Sequence, residues 1–397
     1  TGARDGLTIE TLYPPAPGAR ATYALELYAS EPTTSATPKR GAAIRPLATG
    51  ALDGRHPARV PARVGDLPDG AYLLLAKVTA APGQSAEIVQ PIYLVRDLDA
   101  RYAALKRSLA AISGHDEAKA LAEYPYALAQ AMQAGRREVV SYDFPAAMKR
   151  SAQILSDLKA GRDPVRQAKG LQNRAYRFAA TDELIPYQVY VPSRWAPGKQ
   201  LPLMVALHGA NLDETNMLGR DGGRMQKLAE DHGFIVVAPL GYRLNSGYGS
   251  QRGFSRQIVG AEAERRDRSE ADVLAVSALV EAEYNTDPHR RYLTGNSMGG
   301  GGTWWIGGRY PERWAAIAPG AYGGVLPQDV PALSKLPIRV VVGERDDLML
   351  DRVRETIGVL KAGGVTPEYV EVPGGTHASA FETELPNIFK FFENHAK

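Results

Sequence analysis

The chain has 397 residues, with Lys+Arg 47 against Asp+Glu 44 and a formal net charge of +3. So even a balance does not make the footprint of a nucleic-acid binder or a polybasic membrane anchor, and 44% hydrophobic with 23% charged residues rules out wholesale disorder. No apolar run approaches the roughly 18 residues of a membrane-spanning helix, and a Cys count of 0 excludes disulfides, thiol nucleophiles, zinc–thiolate sites and iron–sulfur clusters.

The first residue is Thr1 rather than Met, which fits removal of a signal peptide. A secreted or periplasmic protein is therefore expected, with the cytoplasm as the alternative. Residues 1–97 predict a small β-sandwich. Apolar or alternating runs recur at Tyr23–Tyr28, Ala71–Val78 and Ile88–Val95, and turn chemistry separates them at Leu67-Pro68-Asp69-Gly70 and Ala81-Pro82-Gly83. Such spacing suggests an immunoglobulin-like module. It carries no catalytic pattern and reads as a docking or spacer unit.

Residues 98–170 change to a helical period and predict a connector. Leu98, Tyr102, Leu105, Leu109 and Ile112 share one helix face. Asp116 can cap a second helix with Leu121, Tyr124, Leu128 and Met132 on a stripe, and Phe144-Pro145 opens a third.

Residues 171–397 alternate strand and helix. A hairpin is expected from Ala175–Ala179 and Pro186–Val191. Buried strands follow at Leu203–Leu207, Phe234–Pro239, Arg291–Gly295, Trp314–Ala318, Ile338–Val342 and Tyr369–Val372. Ser269–Tyr284 and Ala378–Ala396 read as helices. This pattern calls for a mostly parallel sheet covered on both faces, whose ligand site lies at the carboxyl ends of the strands.

Chemistry-bearing residues gather at those ends. Gly295-Asn296-Ser297-Met298-Gly299 lies between an apolar strand and a helical stretch, the context of a nucleophile elbow. Ser297 would sit on a strained turn, where a side chain at 295 or 299 would collide with its neighbours. A serine hydroxyl needs a base. His377, in Gly374-Gly375-Thr376-His377 between the last strand and last helix, is the candidate, on a loop able to swing over the serine. The base needs an acid, and Asp346 stands three residues after the glycine that ends a strand; Asp347 is the neighbouring candidate and Glu344 a remoter one. The order Ser297, Asp346, His377 is the hydrolase order. In Leu207-His208-Gly209-Ala210, the amides of Ala210 and Met298 are the expected oxyanion donors, with His208 orienting the loop by hydrogen bonds.

These segments, with Phe234-Ile235-Val236-Val237-Ala238-Pro239 and Tyr310-Pro311-Glu312-Arg313-Trp314, make the chain from about Arg174 onward resemble an α/β-hydrolase. More narrowly it resembles bacterial esterases grouped with feruloyl esterases and polyhydroxybutyrate depolymerase-like proteins. The resemblance implies a sheet of about eight strands, the triad Ser297, Asp346 and His377, and an optional N-terminal immunoglobulin-like module. It departs from good helix-forming sequence at Gly299–Gly302, which opens the elbow helix.

For a substrate wall, Tyr242, Tyr248, Trp304 and Tyr322 are the candidates, with Asn245, Ser246, Arg252 and Phe254 in a long loop expected over Gly241–Glu270. Arg265, Arg266 and Arg268 with Glu262 and Glu264 read as a solvated face. The expectation is a carboxylic ester hydrolase acting on an aryl, feruloyl or short-chain acyl ester, free or polymer-linked, without metal or organic cofactor. The sequence gives no sign of an oligomer. A prolyl oligopeptidase-like serine peptidase and a non-catalytic binding protein are the alternatives.

Overall fold

The computed structural model describes residues 7–9, 21–31, 39–52, 58–60, 67–81, 84–250 and 258–397. The chain divides into two compact units, Thr1–Ala111 with Pro125–Leu155 and Ile112–Tyr124 with Ser156–Lys397. The helical segment expected over 98–170 is thus shared between the units.

The first unit holds strands β1 (Leu7–Ile9), β2 (Ala21–Glu31), β3 (Lys39–Leu52), β4 (Ala58–Val60), β5 (Gly70–Ala81) and β6 (Gln84–Leu94). Strands β2, β3, β5 and β6 form an antiparallel sheet in the order β3-β2-β5-β6, and β1 pairs with β4. Sequence pattern missed β3 because Pro46 and two glycines interrupt it. Its place at the sheet edge and a register shift beside Pro46 accommodate the missing N–H. Both faces of this sheet bury residues, Leu25 and Leu27 on one and Leu73 and Leu75 on the other. On the second face Tyr93 meets the fully buried Phe144 edge-on at 5.3 Å. The helices are α1 (Leu98–Ala110), α2 (Asp116–Gln133) and α3 (Phe144–Lys159), and α1 buries the expected Tyr102, Leu105 and Leu109.

In the second unit β7 (Gly170–Phe178) and β8 (Glu183–Val191) form the expected hairpin. After them come β9 (Leu203–Leu207), α4 (Asn216–His232), β10 (Ile235–Pro239), α5 (Ala261–Tyr284), β11 (Arg291–Asn296), α6 (Met298–Arg309), β12 (Ala316–Gly320), α7 (Val330–Leu333), β13 (Arg339–Gly343), α8 (Leu350–Ala362), β14 (Glu368–Val372) and α9 (Ser379–Glu393). The eight-stranded sheet runs β14-β13-β12-β11-β9-β10-β8-β7, parallel from β14 to β10 and antiparallel through β8 and β7. This is the α/β-hydrolase topology. Strands β9, β10 and β12 are buried at every position, as central strands covered on both faces require. Val273, Val276 and Val280 of α5, Ile306 of α6 and Val353 of α8 pack into one face; Met217 and Met225 of α4 and Phe381, Phe389 and Phe392 of α9 pack into the other. Burying each such side chain is worth about 1.5–3 kcal/mol.

Residues 112–124 join this unit through a buried cation. The Arg174 guanidinium, in β7, lies 3.1 Å from Glu117 of α2 and 3.1 Å from Glu283 of α5, and donates to Tyr284 Oη at 2.9 Å. Burial, with Glu283 alongside, pushes the Glu117 carboxyl above its ordinary value despite the guanidinium.

Candidate active site

Ser297 stands between the end of β11 and the start of α6 with φ 57 and ψ −121, a conformation that side-chain-bearing residues rarely adopt and that costs about 1–3 kcal/mol. Two backbone bonds hold it there: Ser297 N–H donates to Gly320 O at 3.0 Å, and Ser297 O accepts from Gly301 N at 3.0 Å. The glycine run that looked like poor helix sequence has a steric cause. A Cβ on Gly299 would lie 2.1 Å from Leu207 O, and on Gly300, 2.2 Å from Gly320 O. On Gly301 it would meet the Tyr322 ring at 2.9 Å, and on Gly302, Tyr248 Cβ at 2.6 Å. Helix α6 therefore approaches the sheet and two tyrosines more closely than any side chain permits. This outweighs the roughly 1 kcal/mol per glycine lost in helix propensity.

His377 Nε2 lies 2.9 Å from Ser297 Oγ, and its Nδ1 lies 3.0 and 2.9 Å from the two carboxylate oxygens of Asp346. Asp346 is buried, while Asp347 and Glu344 are exposed. Asp346 Oδ1 also accepts the amides of Leu348 at 3.2 Å and Met349 at 3.1 Å, so the turn after β13 fixes the carboxylate. Glu344 has a different partner: its carboxylate accepts Gly374 N–H at 2.8 Å.

The imidazole needs no swing to reach the serine. Backbone bonds from Glu344 N to Val372 O (3.0 Å) and from Arg345 N to Gly375 O (2.8 Å) zip its loop to the one carrying Asp346. Gly343 approaches so closely that a Cβ there would lie 2.3 Å from Gly375 O. Asn296 Nδ2 donates to His377 O at 3.3 Å, and Arg220, where α4 leaves helical geometry, donates to Ala378 O at 3.3 Å. These supports escaped sequence reading. Asn296 had only its place beside Ser297 to mark it, and Arg220 had no local signal.

On the other flank, the loop after β9 comes up to the elbow: a Cβ on Gly209 would touch Ser297 Cβ at 3.6 Å. Ala210 is exposed and Met298 half-buried. Met298 is the first residue of α6, and the leading amides of a helix have no carbonyl one turn earlier to bond and sit at the positive end of its dipole. His208 is fully buried, with Nδ1 2.8 Å from Gly209 O and Nε2 2.9 Å from Leu240 O. Burial holds its pKa below the ordinary value, which favours the neutral ring.

The aromatic candidates separate by burial. Tyr248 is fully buried; its hydroxyl donates to His208 O at 3.3 Å and its ring fills the space beside Gly302. Tyr242 is buried beside Phe178 with the Arg243 guanidinium 3.9 Å over its ring, and its N–H donates to the buried Asp272 at 2.8 Å. Trp304 is also buried, its indole N–H donating to Tyr322 O at 3.0 Å. These three rings are thus packed among core and loop neighbours. Tyr322 is half-buried against the first turn of α6, and burial raises its phenol pKa. The long loop expected over Gly241–Glu270 is shorter than it looked, because α5 begins at Ala261; within its first turns Arg266 pairs with Glu262 at 3.1 Å. Arg252 and Phe254 lie outside the described residues.

A family model described as "Putative esterase" matches residues 179–392, more than half of the chain. Among curated proteins, the bifunctional acetylxylan esterase/xylanase XynS20E of Neocallimastix patriciarum is 32% identical over 164 residues, covering 41% of this chain and 21% of that protein. Feruloyl esterase B of Neurospora crassa is 32% identical over 139 residues, covering 34% of this chain and 42% of that protein. The chain thus spans less than half the length of either relative. Among solved structures, a thermostable esterase is 24% identical with a TM-score of 0.45, covering 57% of this chain and 63% of that one. A ferulic acid esterase from Anaeromyces mucronatus, solved with ferulic acid, is 18% identical with a TM-score of 0.45, covering 59% of this chain and 93% of that one.

Proposed function

The chain belongs to the Esterase family, and on that premise we propose that it is a serine carboxylic ester hydrolase working through an acyl-enzyme, with an aryl, feruloyl or short-chain acyl ester as substrate. The observation that carries the reading is the continuous relay from Asp346 through His377 to Ser297, with 2.9 Å between His377 Nε2 and Ser297 Oγ. The names of the acetylxylan and feruloyl esterase relatives support the substrate class.

In the proposed reaction, Ser297 Oγ attacks the ester carbonyl while His377 Nε2 takes its proton. Asp346 keeps the second ring nitrogen protonated and stabilises the imidazolium that forms. The Ala210 and Met298 amides donate to the oxyanion. His377 then passes its proton to the leaving alcohol oxygen. Water, deprotonated by the same nitrogen, attacks the acyl-enzyme; the acyl C–Oγ bond breaks, and His377 returns that proton to Ser297 Oγ as the acid leaves.

Ser297→Ala is expected to lower turnover of p-nitrophenyl acetate and methyl ferulate by about 10⁴-fold or more, by precedent of triad knock-outs. Near-parental turnover by the folded variant would refute the reading. A higher kcat/KM on methyl ferulate than on methyl acetate, which share one leaving group, would assign the aryl-acid side of the substrate class, and the reverse the short-acyl side.

A further inference from the structure

The residues after β10 hold a polar side chain for which the proposed reaction has no use. Asn245 is exposed, and both ends of its amide engage a single residue of the loop after β9. Its Oδ1 accepts Asn211 N–H at 2.8 Å, and its Nδ2 donates to Asn211 Oδ1 at 2.8 Å. Asn211 has φ 61, so the loop turns sharply just after Ala210, in a conformation that Asn tolerates better than most residues.

The consequence follows from peptide planarity. The carbonyl of Gly209 and the N–H of Ala210 belong to one rigid plane and point in opposite directions. That carbonyl is turned toward the buried His208 ring, with Nδ1 at 2.8 Å, so the Ala210 N–H is turned the other way. The carbonyl of Ala210 and the N–H of Asn211 form the next plane, and Asn245 holds that N–H. With the planes on both sides of the Ala210 Cα held, the direction of the Ala210 amide is set. The Asn211 amide, already bonded to Asn245, is also withdrawn from competition for an anion.

We propose that Asn245 is a positioning residue for the oxyanion donor: it locks the peptide plane after Ala210 and so keeps the Ala210 N–H aimed at the carbonyl attacked by Ser297. The proposal rests on the reading of Ser297 as nucleophile and Ala210 as donor. Asn245 touches no reacting atom and acts through the loop. Because the donor matters most when negative charge develops on oxygen, losing the clamp lowers kcat and leaves KM nearly alone.

The test is a double-mutant cycle on p-nitrophenyl acetate hydrolysis, with circular dichroism and thermal unfolding as folding controls. Asn245→Ala removes both bonds and is expected to lower kcat about tenfold with KM within about twofold. Asn211→Gly keeps the backbone N–H and the left-handed turn and loses one bond, so a loss of about threefold in kcat is expected. The double variant should be no worse than Asn245→Ala, because each single change removes the same side-chain contact. Unchanged kcat in folded Asn245→Ala, a loss confined to KM, or additive losses would each overturn the proposal. If Asn245→Ala does not fold, the kcat–KM split in Asn211→Gly decides in the same way. Ser297→Ala assayed in parallel separates the two levels. If it abolishes turnover while Asn245→Ala leaves kcat intact, only the clamp is wrong; if it retains turnover, the underlying reading falls first.

Discussion

The two flanks of Ser297 are built from different material. On one, after β13 and β14, the candidate acid and base are side chains: Asp346 is buried and held by two amides, and His377 rides on a loop zipped to its neighbour by backbone bonds. On the other, after β9 and at the start of α6, the candidate donors are main-chain amides, and the side chains of His208, Tyr248 and Asn245 each bond to backbone groups. The comparison teaches that proton transfer needs particular functional groups, whereas an anion cradle needs a particular backbone path. One flank should therefore be sensitive to chemistry and the other to shape.

The largest expected effect tests the side-chain flank. Asp346→Asn should lower kcat about 10⁴-fold by the precedent of triad acids, whereas Asp347→Asn should stay within about twofold of the parent. Equal losses in esterase assays of the two would break the distinction between the buried and the exposed carboxylate.

Gly300→Ala tests the backbone flank. The added methyl, 2.2 Å from Gly320 O and 3.0 Å from Tyr322 Cβ, meets a backbone carbonyl and a Cβ rather than the far end of a flexible side chain. A stability loss of about 1–3 kcal/mol or more is expected, read as a lower midpoint of thermal unfolding. An unchanged midpoint would mean that α6 can lift from the sheet without penalty.

The smallest effect lies furthest from the reaction, on β14. Hydrogen bonds from Arg354 and Tyr369 hold the Glu371 carboxyl down to about 2. A carboxyl that is more acidic in the folded chain contributes stability that is full above its unfolded value, near 4.5, and is lost as pH falls through about 2. Glu371→Gln should therefore cost less than about 1 kcal/mol at neutral pH, and the gap should close on acidification and shrink in salt. A gap that widens in acid would reverse the sign of the argument.

Much of the second unit was legible because its strands are short apolar runs buried on both faces, and because Ser297 sits among glycines whose only tenable reason is close packing. The shift of β12 to Ala316–Gly320, two residues beyond its apolar run, reflects Pro319 and Gly320 in a strand paired through its end. Strand β3 was hidden by Pro46, which an edge tolerates and a central strand would not. The aromatic candidates were the least legible: Tyr248 and Tyr322 have the same ring chemistry, and only the fold buries one of them fully and leaves the other half-exposed.

Sequence alone determined the residue types that no other residue can replace: a serine in a glycine-bounded turn, a histidine before the last helix, an acid after a strand, and apolar runs at the spacing of a covered parallel sheet. Tertiary structure decided which acid meets the histidine, which tyrosines become core, and which residue bonds the Asn211 amide beside Ala210. The physical reason is that side-chain chemistry is written residue by residue, whereas burial and the direction of a peptide N–H depend on partners distant in the chain, and every residue except proline carries that same N–H.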